Sequence, residues 1–302
     1  MKQVFLLSLL IAVAGCGKKE SEAPAELTNA PKPEAVESAN SQSDLQAILD
    51  AQSDEMKARY AYRNPAETLS FFGIEPGMHV VEGLPGGGWY TKILLPYLGN
   101  DGHLQGANYA LDMWPLFSFA NEEFIASQEK WADGFAEQTS EWQGGAEVPV
   151  SAFYFGSLDE ESHGKADAVL LVRALHNTAR FQIAGEGDFL KQLLADSFNA
   201  LKSGGVLGIV QHEARPETSD EFATGAKGYL KKAWVIDQVE AAGFEFVAES
   251  DINQNPKDQP GDADIVWRLP PSLATSRENE ELKAELTAVG ESNRMTLKFR
   301  KP

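Results

Sequence analysis

From residue 78 onward the chain alternates short apolar runs with longer amphipathic runs. The apolar runs have the length of β-strands, and the amphipathic runs repeat apolar residues at helical spacing. This alternation predicts parallel strands joined by helices that cover both faces of one sheet. The predicted strands are residues 78–82, 103–109, 148–155, 168–173, 206–212, 244–249 and 295–299, with a further short strand at 265–267.

Helical patterns fill the segment ahead of the first strand and most of the connections. Apolar residues recur at helical spacing over residues 44–62, and Asn64 and Pro65 predict the start of a short helix that ends near Phe72. Further helices are expected over residues 89–98, 187–201 and 231–242, with less regular helix and loop over 114–142. The predicted fold is a doubly wound, mostly parallel, seven-stranded Rossmann-like α/β sheet with an antiparallel C-terminal strand.

The first sixteen residues have the pattern of an export signal. Lys2 precedes an apolar run over residues 4–14, and small residues lead up to Cys16. The run is shorter than the ~20 residues that a helix needs to cross a bilayer. The segment Val13-Ala14-Gly15-Cys16 resembles the bacterial lipobox, which implies cleavage before Cys16 and its lipidation. An ordinary signal peptide, or an uncleaved anchor with an incidental cysteine, is the alternative.

Residues 17–43 are polar, proline-containing and poor in large apolar side chains. Such a segment does not bury enough apolar surface to offset the entropy of ordering, so we expect a disordered linker. Residues 44–302 then form one α/β domain. This organisation predicts an exported protein of the cell envelope, held at a bacterial membrane on the periplasmic side by its N-terminal lipid anchor.

Charge and composition exclude several classes of partner. The formal net charge is −19, whereas nucleic-acid binding needs a basic face, so nucleic acid is not an expected partner. The five histidines are scattered and Cys16 is the single cysteine, so no metal site is predicted.

A glycine cluster follows the first predicted strand, in the run Glu82-Gly83-Leu84-Pro85-Gly86-Gly87-Gly88. Glycines allow a close approach to the backbone, and the next helix offers free N–H groups to a ligand. Two cofactor families use this layout. The NAD fingerprint needs a third glycine, but Thr91 stands at that position. It also needs an acid after the second strand to bind the ribose, and Asp112 is the only acid near that position.

The other family fits the glycine cluster better. An acid, a glycine, two residues and three glycines resemble motif I of the class I S-adenosylmethionine-dependent methyltransferases, and residues 201–207 resemble the turn before their fifth strand. More closely, the chain resembles a bacterial group of predicted methyltransferases, many of them exported. The resemblance spans residues 44–302 and is carried by residues 64–68, 82–91, 173–177, 255–258 and 291–297.

The resemblance implies S-adenosyl-L-methionine as cofactor and assigns residues to it. The methionine half is lined by the loop, and the residues concerned are Glu82, Gly83, Pro85, Gly86, Gly87 and Gly88. Asn108 stands where the family has an acid for the ribose hydroxyls, which replaces a charge-assisted hydrogen bond by a neutral one. Ser157, after the third strand, is placed near the adenine.

The candidate catalytic residues follow two neighbouring strands. His176 and Asn177 come after the fourth strand, and His212 ends the fifth. Ligands of open α/β sheets bind outside the carboxyl ends of the strands, and histidine exchanges a proton near neutral pH. A histidine there takes the proton of the methylated group, or it is only a hydrogen-bonding loop residue.

These observations predict an S-adenosylmethionine-dependent methyltransferase with a small-molecule acceptor that the sequence does not identify. The alternative is a non-catalytic envelope lipoprotein that keeps the fold as a ligand-binding or structural module. Two observations support the alternative: S-adenosylmethionine is not expected outside the cytoplasm, and Asn108 replaces the usual acid.

Overall fold

The computed structural model describes residues 44–302. The predicted signal, the lipidation site Cys16 and the linker over 17–43 lie outside the described residues. No described helix is long and apolar enough to cross a membrane. Within the same residues, no group of histidine, cysteine, aspartate or glutamate side chains has an arrangement that could hold a metal ion.

One mixed sheet organises the described residues. Its strands are β1 His79–Gly83, β2 His103–Asn108, β3 Val150–Tyr154, β4 Ala166–Val172, β5 Leu201–Ala214, β6 Leu230–Lys231, β7 Glu245–Ser250 and β8 Arg294–Arg300. Its helices are α1 at residues 44–50, α2 Asp54–Lys57, α3 Tyr60–Arg63, α4 Pro65–Phe72, α5 Thr91–Leu98, α6 Glu122–Gln128, α7 Trp131–Thr139, α8 Leu175–Ile183, α9 Phe189–Ala200, α10 Lys232–Ala241 and α11 Glu280–Val289.

The strand order is β3-β2-β1-β4-β5-β8-β7, with β6 paired to the end of β5. The pairs among β1 to β5 are parallel, and β8 is antiparallel to both β5 and β7. The prediction of a doubly wound, mostly parallel sheet with an antiparallel C-terminal strand is confirmed, and the fold is that of a class I methyltransferase-like protein. The order reverses at β1 and β4, and such a switch point is where open α/β sheets bind ligands.

Two apolar cores cover the faces of the sheet. One packs α8, α9 and α10 against one face, and the other packs α4 and α5 against the opposite face. Strand β4 is an apolar run because it is buried on both sides, with Val169 in the first core and Leu170 in the second. The two cores hold the carboxyl ends of β1 and β4 side by side.

Two local predictions differ from the structure, and two helices were not predicted. The helix expected over 44–62 is divided into α1, α2 and α3, because the Ser53 hydroxyl caps a new helix by accepting from the Met56 N–H. Residues Val266–Arg268 form a 3₁₀ turn instead of a strand, and the Val266 N–H donates to the Lys227 carbonyl in a loop. The helices α8 and α11 were not predicted; Asn279 caps α11 through the Leu282 N–H.

Candidate functional site

The loop after β1 turns across the carboxyl edge of the sheet. Leu84, Gly86 and Gly88 have positive φ angles of 55°, 55° and 76°. This conformation is ordinary for glycine but strained for leucine. Leu84 keeps it while its side chain packs against both the α8–α9 core and an aromatic cluster that contains Tyr109 and Trp114.

Glu82 is buried beneath this loop and is not among the residues that line the two clefts described below. Its carboxylate accepts a hydrogen bond of 2.7 Å from the Thr91 hydroxyl, at the start of α5. Burial raises the pKa of Glu82 to about 7, and the hydrogen bonds from Thr91 offset only part of that effect. Through this hydrogen bond, Glu82 connects the end of β1 to the first residue of α5.

Two of the loop glycines are required by internal packing. A Cβ on Gly83 would lie 2.6 Å from Leu171 Cδ2, and a Cβ on Gly88 would overlap the Trp142 ring. Gly87 differs, because a Cβ there would meet no atom within 4 Å. The space beside Gly87 is open to a ligand.

That space belongs to a cleft of about 360 Å³ between the glycine loop and the helices ahead of β1. We call it the arginine cleft. It is lined by Ser53, Glu55, Met56, Arg59, Arg63, Leu84, Pro85, Gly86, Gly87, Trp89, Lys92 and Arg173. Of the residues predicted for the cofactor, the structure brings Pro85, Gly86 and Gly87 to this cleft.

Three arginines meet one buried carboxylate at the wall of the arginine cleft. The Glu291 carboxylate oxygens lie 2.6 Å from Arg59 Nε, 3.2 Å from Arg63 Nε and 3.3 Å from Arg294 Nη1. Burial opposes the charge on Glu291, but Arg294, Arg63 and Arg59 outweigh it and lower the pKa of this carboxyl. Glu291 is therefore ionised in the folded protein.

The arginines themselves carry more charge than Glu291 balances. Burial, together with the neighbouring Arg173, lowers the pKa of Arg63 to about 9. Burial and then Arg294 lower the pKa of Arg173 to about 10. Arg59 Nη2, Arg173 Nε and Arg294 Nε are buried and have no hydrogen-bond partner in the described part of the chain. Each of these atoms is a donor without an acceptor.

A second cleft, of about 430 Å³, opens beyond β2 and β4. We call it the aromatic cleft, and it is lined by Tyr109, Trp114, Phe117, Ser118, Phe119, His176, Asn177, Arg180 and Trp267. The Asn177 side-chain amide donates a hydrogen bond of 3.0 Å to the Tyr109 hydroxyl. Phe119 is 63% exposed, so part of this apolar wall faces solvent.

His176 is held neutral in the aromatic cleft. Burial first, and then the charge of Arg173, lowers its pKa to about 4. Its Nδ1 is buried and has no partner among the residues that the structure describes. A histidine with this pKa is a weak proton acceptor at neutral pH, but it can still form a hydrogen bond to a ligand.

His212 lies behind His176, with 5.6 Å between the ring centroids. Its Nδ1 is 2.6 Å from the Ser292 hydroxyl, and burial lowers its pKa well below the usual value. His212 is not among the residues that line either cleft. Its predicted catalytic role therefore stays a prediction.

The side chains of Asn108 and Ser157 form hydrogen bonds outside the two clefts. Asn108 accepts from the Tyr109 N–H at 2.9 Å and donates to Gln128 at 3.3 Å. The Ser157 hydroxyl donates to the Tyr154 carbonyl at 2.7 Å. Neither residue lines one of the two clefts, so their roles at the ribose and adenine stay predictions.

The arginines of the cleft were missed by reasoning from the sequence. Arg59 and Arg63 stand four residues apart, which places them on one helical side, and Arg173 directly follows a buried strand. Those positions were a usable signal. The pairing with Glu291 joins residues 232 and 228 positions apart and had no signal in the sequence.

Comparisons with known proteins return structures of the same general type. No family model matches the chain, and no curated protein matches its sequence. Among solved structures, the [4+2]-cyclase SpnF is 16% identical with a TM-score of 0.48, covering 90% of this chain and 97% of that one. A SAM dependent methyltransferase from Aquifex aeolicus is 16% identical with a TM-score of 0.43, covering 70% and 93%.

A third structure was solved with ligands. The Burkholderia thailandensis 1,6-didemethyltoxoflavin-N1-methyltransferase, with bound 1,6-didemethyltoxoflavin and S-adenosylhomocysteine, is 15% identical with a TM-score of 0.45, covering 91% of this chain and 93% of that one. Similarity at this level does not decide the substrate, cofactor or activity of this chain. The class of its fold follows from its own strand order and antiparallel β8.

Proposed function

We propose that this protein is an S-adenosylmethionine-dependent methyltransferase that acts on a small-molecule acceptor. One observation carries the proposal: the glycine loop at the switch point of the sheet opens onto a cleft whose lining includes buried donors without a partner in residues 44–302. Arg59 Nη2, Trp89 Nε1 and Arg173 Nε belong to residues that line this cleft. Buried donors without acceptors are rare in folded proteins, so they indicate a ligand that accepts hydrogen bonds.

The residues present fit the methionine half of S-adenosylmethionine. Its carboxylate is an acceptor for the guanidinium group of Arg63, which lines the cleft, and charge-assisted bonds of this kind are the strong ones. Gly87 leaves open space for the close approach of a ligand. Asn108 would serve the ribose hydroxyls as a neutral partner. When bound, the cofactor supplies a methyl group on a sulfonium centre.

The aromatic cleft is the proposed place of the acceptor. Trp114 and Phe117 are buried apolar walls that exclude water. The neutral His176 would accept a hydrogen bond from the hydroxyl or amine to be methylated, and its low pKa makes orientation its main contribution. Asn177, fixed by its bond to Tyr109, keeps its carbonyl oxygen as a further acceptor.

Calorimetric titration of S-adenosylmethionine and S-adenosylhomocysteine tests this proposal. We expect binding with a Kd of about 1–100 μM, the range of an ordinary small-molecule site. Gly87→Leu places a side chain in open space of the arginine cleft and should abolish that binding. Gly134→Leu is the matched control, since Gly134 is exposed on α7 and also has open space at its Cβ.

The control separates a lost site from a lost fold. Wild-type protein that is folded but binds neither ligand would contradict the proposal and favour the non-catalytic module. Equal loss in both variants would show that the leucine acts on folding and not on the site.

We also propose that the protein is a lipoprotein of the bacterial envelope. The support is the sequence alone: a short apolar run, the segment Val13–Cys16, and a polar linker before residue 44. Incorporation of radiolabelled palmitate in cells tests it. Label in the wild type and none in Cys16→Ser is the expected result, and label in neither protein would contradict it.

A further inference from the structure

The arginine cleft holds more positive charge than its carboxylates balance. Arg59, Arg63 and Arg294 contact the carboxylate of Glu291. Arg173 acts electrostatically on the same cluster but forms no ion pair in the described part of the chain. The exposed Glu55 also lines the cleft, so four guanidinium groups face two carboxylates. The chain as a whole has a net charge of −19, so this local surplus is not a general property of its surface.

The hydrogen-bonding groups of the cleft show the same imbalance. Arg59 Nη2, Trp89 Nε1 and Arg173 Nε are all buried donors without a partner in the residues described. Guanidinium and indole nitrogens have no acceptor function. An oxyanion presents several acceptor atoms at once and therefore matches these donors.

The cofactor does not supply enough negative charge. S-adenosylmethionine brings one carboxylate, but it also brings an α-ammonium group and a sulfonium centre. Arg59, Arg173 and Lys92 all line the cleft, and the Lys92 ammonium lies 4.6 Å from the centroid of the Trp142 ring. A surplus of positive charge remains after the cofactor has bound, and a phosphate group is a compact dianion that arginines bind in a bidentate manner.

We propose that the arginine cleft binds a phosphate-type dianion, with Arg59, Arg173 and the Trp89 indole N–H as its donors. The second part of the proposal, which rests on the proposed function, is that the methyl acceptor carries this dianion as a phosphate monoester.

The position of Arg173 connects the two clefts. Arg173 lines the arginine cleft, and His176 and Asn177, three and four residues later, line the aromatic cleft. An acceptor that lies across this segment places its phosphate on Arg173 and its apolar part against Phe117 and Trp114. The neutral His176 then stands beside the part of the acceptor that is not charged.

Titration of inorganic phosphate into the full-length protein, at constant ionic strength and in a buffer free of other polyvalent anions, tests the anion site. We expect saturable binding that is at least tenfold weaker in Arg59→Gln and in Arg173→Gln. Lys57→Gln is the matched control: it removes one positive charge from the same helical segment, but Lys57 pairs with Asp54 and does not line the cleft. It should bind phosphate within twofold of the wild type.

Arg59→Lys keeps the experiment decisive if a glutamine variant folds poorly, since it retains the charge and should lose much less affinity than Arg59→Gln. No saturable binding by the folded wild type would overturn the proposal, because the arginines would then serve only Glu291. Equal weakening in Lys57→Gln would also overturn it, since the effect would be long-range charge and not a site.

Phenyl phosphate tests the second part. Affinity at least tenfold above that of inorganic phosphate supports a monoester whose apolar part enters the aromatic cleft, and equal affinity overturns it. The two proposals fail separately. Phosphate binding without S-adenosylhomocysteine binding leaves the anion site in place and removes the proposed function, and the reverse result removes only the anion site.

Discussion

The arginine cleft and the aromatic cleft lie at the same edge of one sheet but differ in the charge of their walls. In the arginine cleft, several side chains are kept charged although they are buried, and donors outnumber acceptors. The residues that line the aromatic cleft include one cation, Arg180, and burial keeps His176 neutral there with a pKa of about 4. We therefore propose a division of work. One cleft fixes an anionic group by charge, and the other selects an apolar body and orients it by hydrogen bonds.

Glu291→Gln is expected to have the largest effect, because it leaves buried arginines without a counter-charge. Removing one partner of a buried ion pair costs about 3–5 kcal/mol of unfolding free energy. Glu245→Gln is the control, since Glu245 pairs with Arg300 at the surface and such pairs contribute about 0–1 kcal/mol. Urea unfolding of both variants checks the comparison, and similar losses in both would contradict it.

The Glu291→Gln variant also tests whether the arginine cleft binds anions. Phosphate that binds only the folded protein stabilises it by mass action. We expect added phosphate to raise the unfolding midpoint of Glu291→Gln further than an equal ionic strength of sodium chloride does. An equal rise with both salts would contradict specific binding.

Glu82 gives the second largest effect, with the opposite pH dependence to Glu291. Its folded pKa, about 7, lies above the usual value near 4.5, so the folded state holds a proton that the unfolded state has lost. Stability should fall as pH rises from about 4.5 to about 7 and stay level above that, by on the order of 3 kcal/mol.

Glu82→Gln should remove this fall, because the amide does not ionise and its oxygen still accepts from Thr91. Chemical unfolding of both proteins at pH 5 and pH 8 measures the difference. A variant that loses as much stability over this range as the wild type would show that Glu82 is not the group responsible.

Leu84 lies between the two clefts, since it lines the arginine cleft and packs on the aromatic cluster. Substitutions at Leu84 test whether its positive φ is strained. Leu84→Ala loses packing and keeps the strained left-handed backbone, for a loss of about 2–3 kcal/mol. Leu84→Gly loses the same packing but relieves about 1 kcal/mol of strain. We therefore expect the glycine variant to be the more stable of the two by thermal unfolding. The reverse order would mean that the positive φ is not strained.

Tyr109→Phe should have the smallest effect. It removes the hydroxyl that receives the Asn177 amide, at a net cost of about 1 kcal/mol. The measurement is the unfolding free energy, with Tyr154→Phe as a control at another hydrogen-bonded tyrosine. A loss of several kcal/mol in Tyr109→Phe alone would show that this bond holds the aromatic cleft together.

The fold could be predicted largely from the sequence, and the site only in part. Period and length identified the strands of the main sheet, because apolar runs such as Ala166–Val172 reflect burial on both faces. The glycine loop was predicted from the glycine cluster that directly follows β1, and Gly86 and Gly87 line a cleft.

The rest of the site depends on contacts between distant segments. Glu291 joins Arg59 and Arg63 across more than 200 positions, and no local pattern encodes such a meeting. The role expected for Glu82 at the cofactor stays a prediction, and the hydrogen bond that its carboxylate accepts from Thr91 was not foreseen from the sequence. The contact between His212 and Ser292 likewise joins residues 80 positions apart and follows from no local pattern.

A crystal structure of the protein with S-adenosylhomocysteine tests the central claim most directly. The account predicts the amino-acid carboxylate of the ligand in the arginine cleft, beside Gly87 and within hydrogen-bond distance of Arg63. A ligand whose carboxylate lies in the aromatic cleft on Arg180, or crystals that show no ligand after saturating soaks, would contradict it.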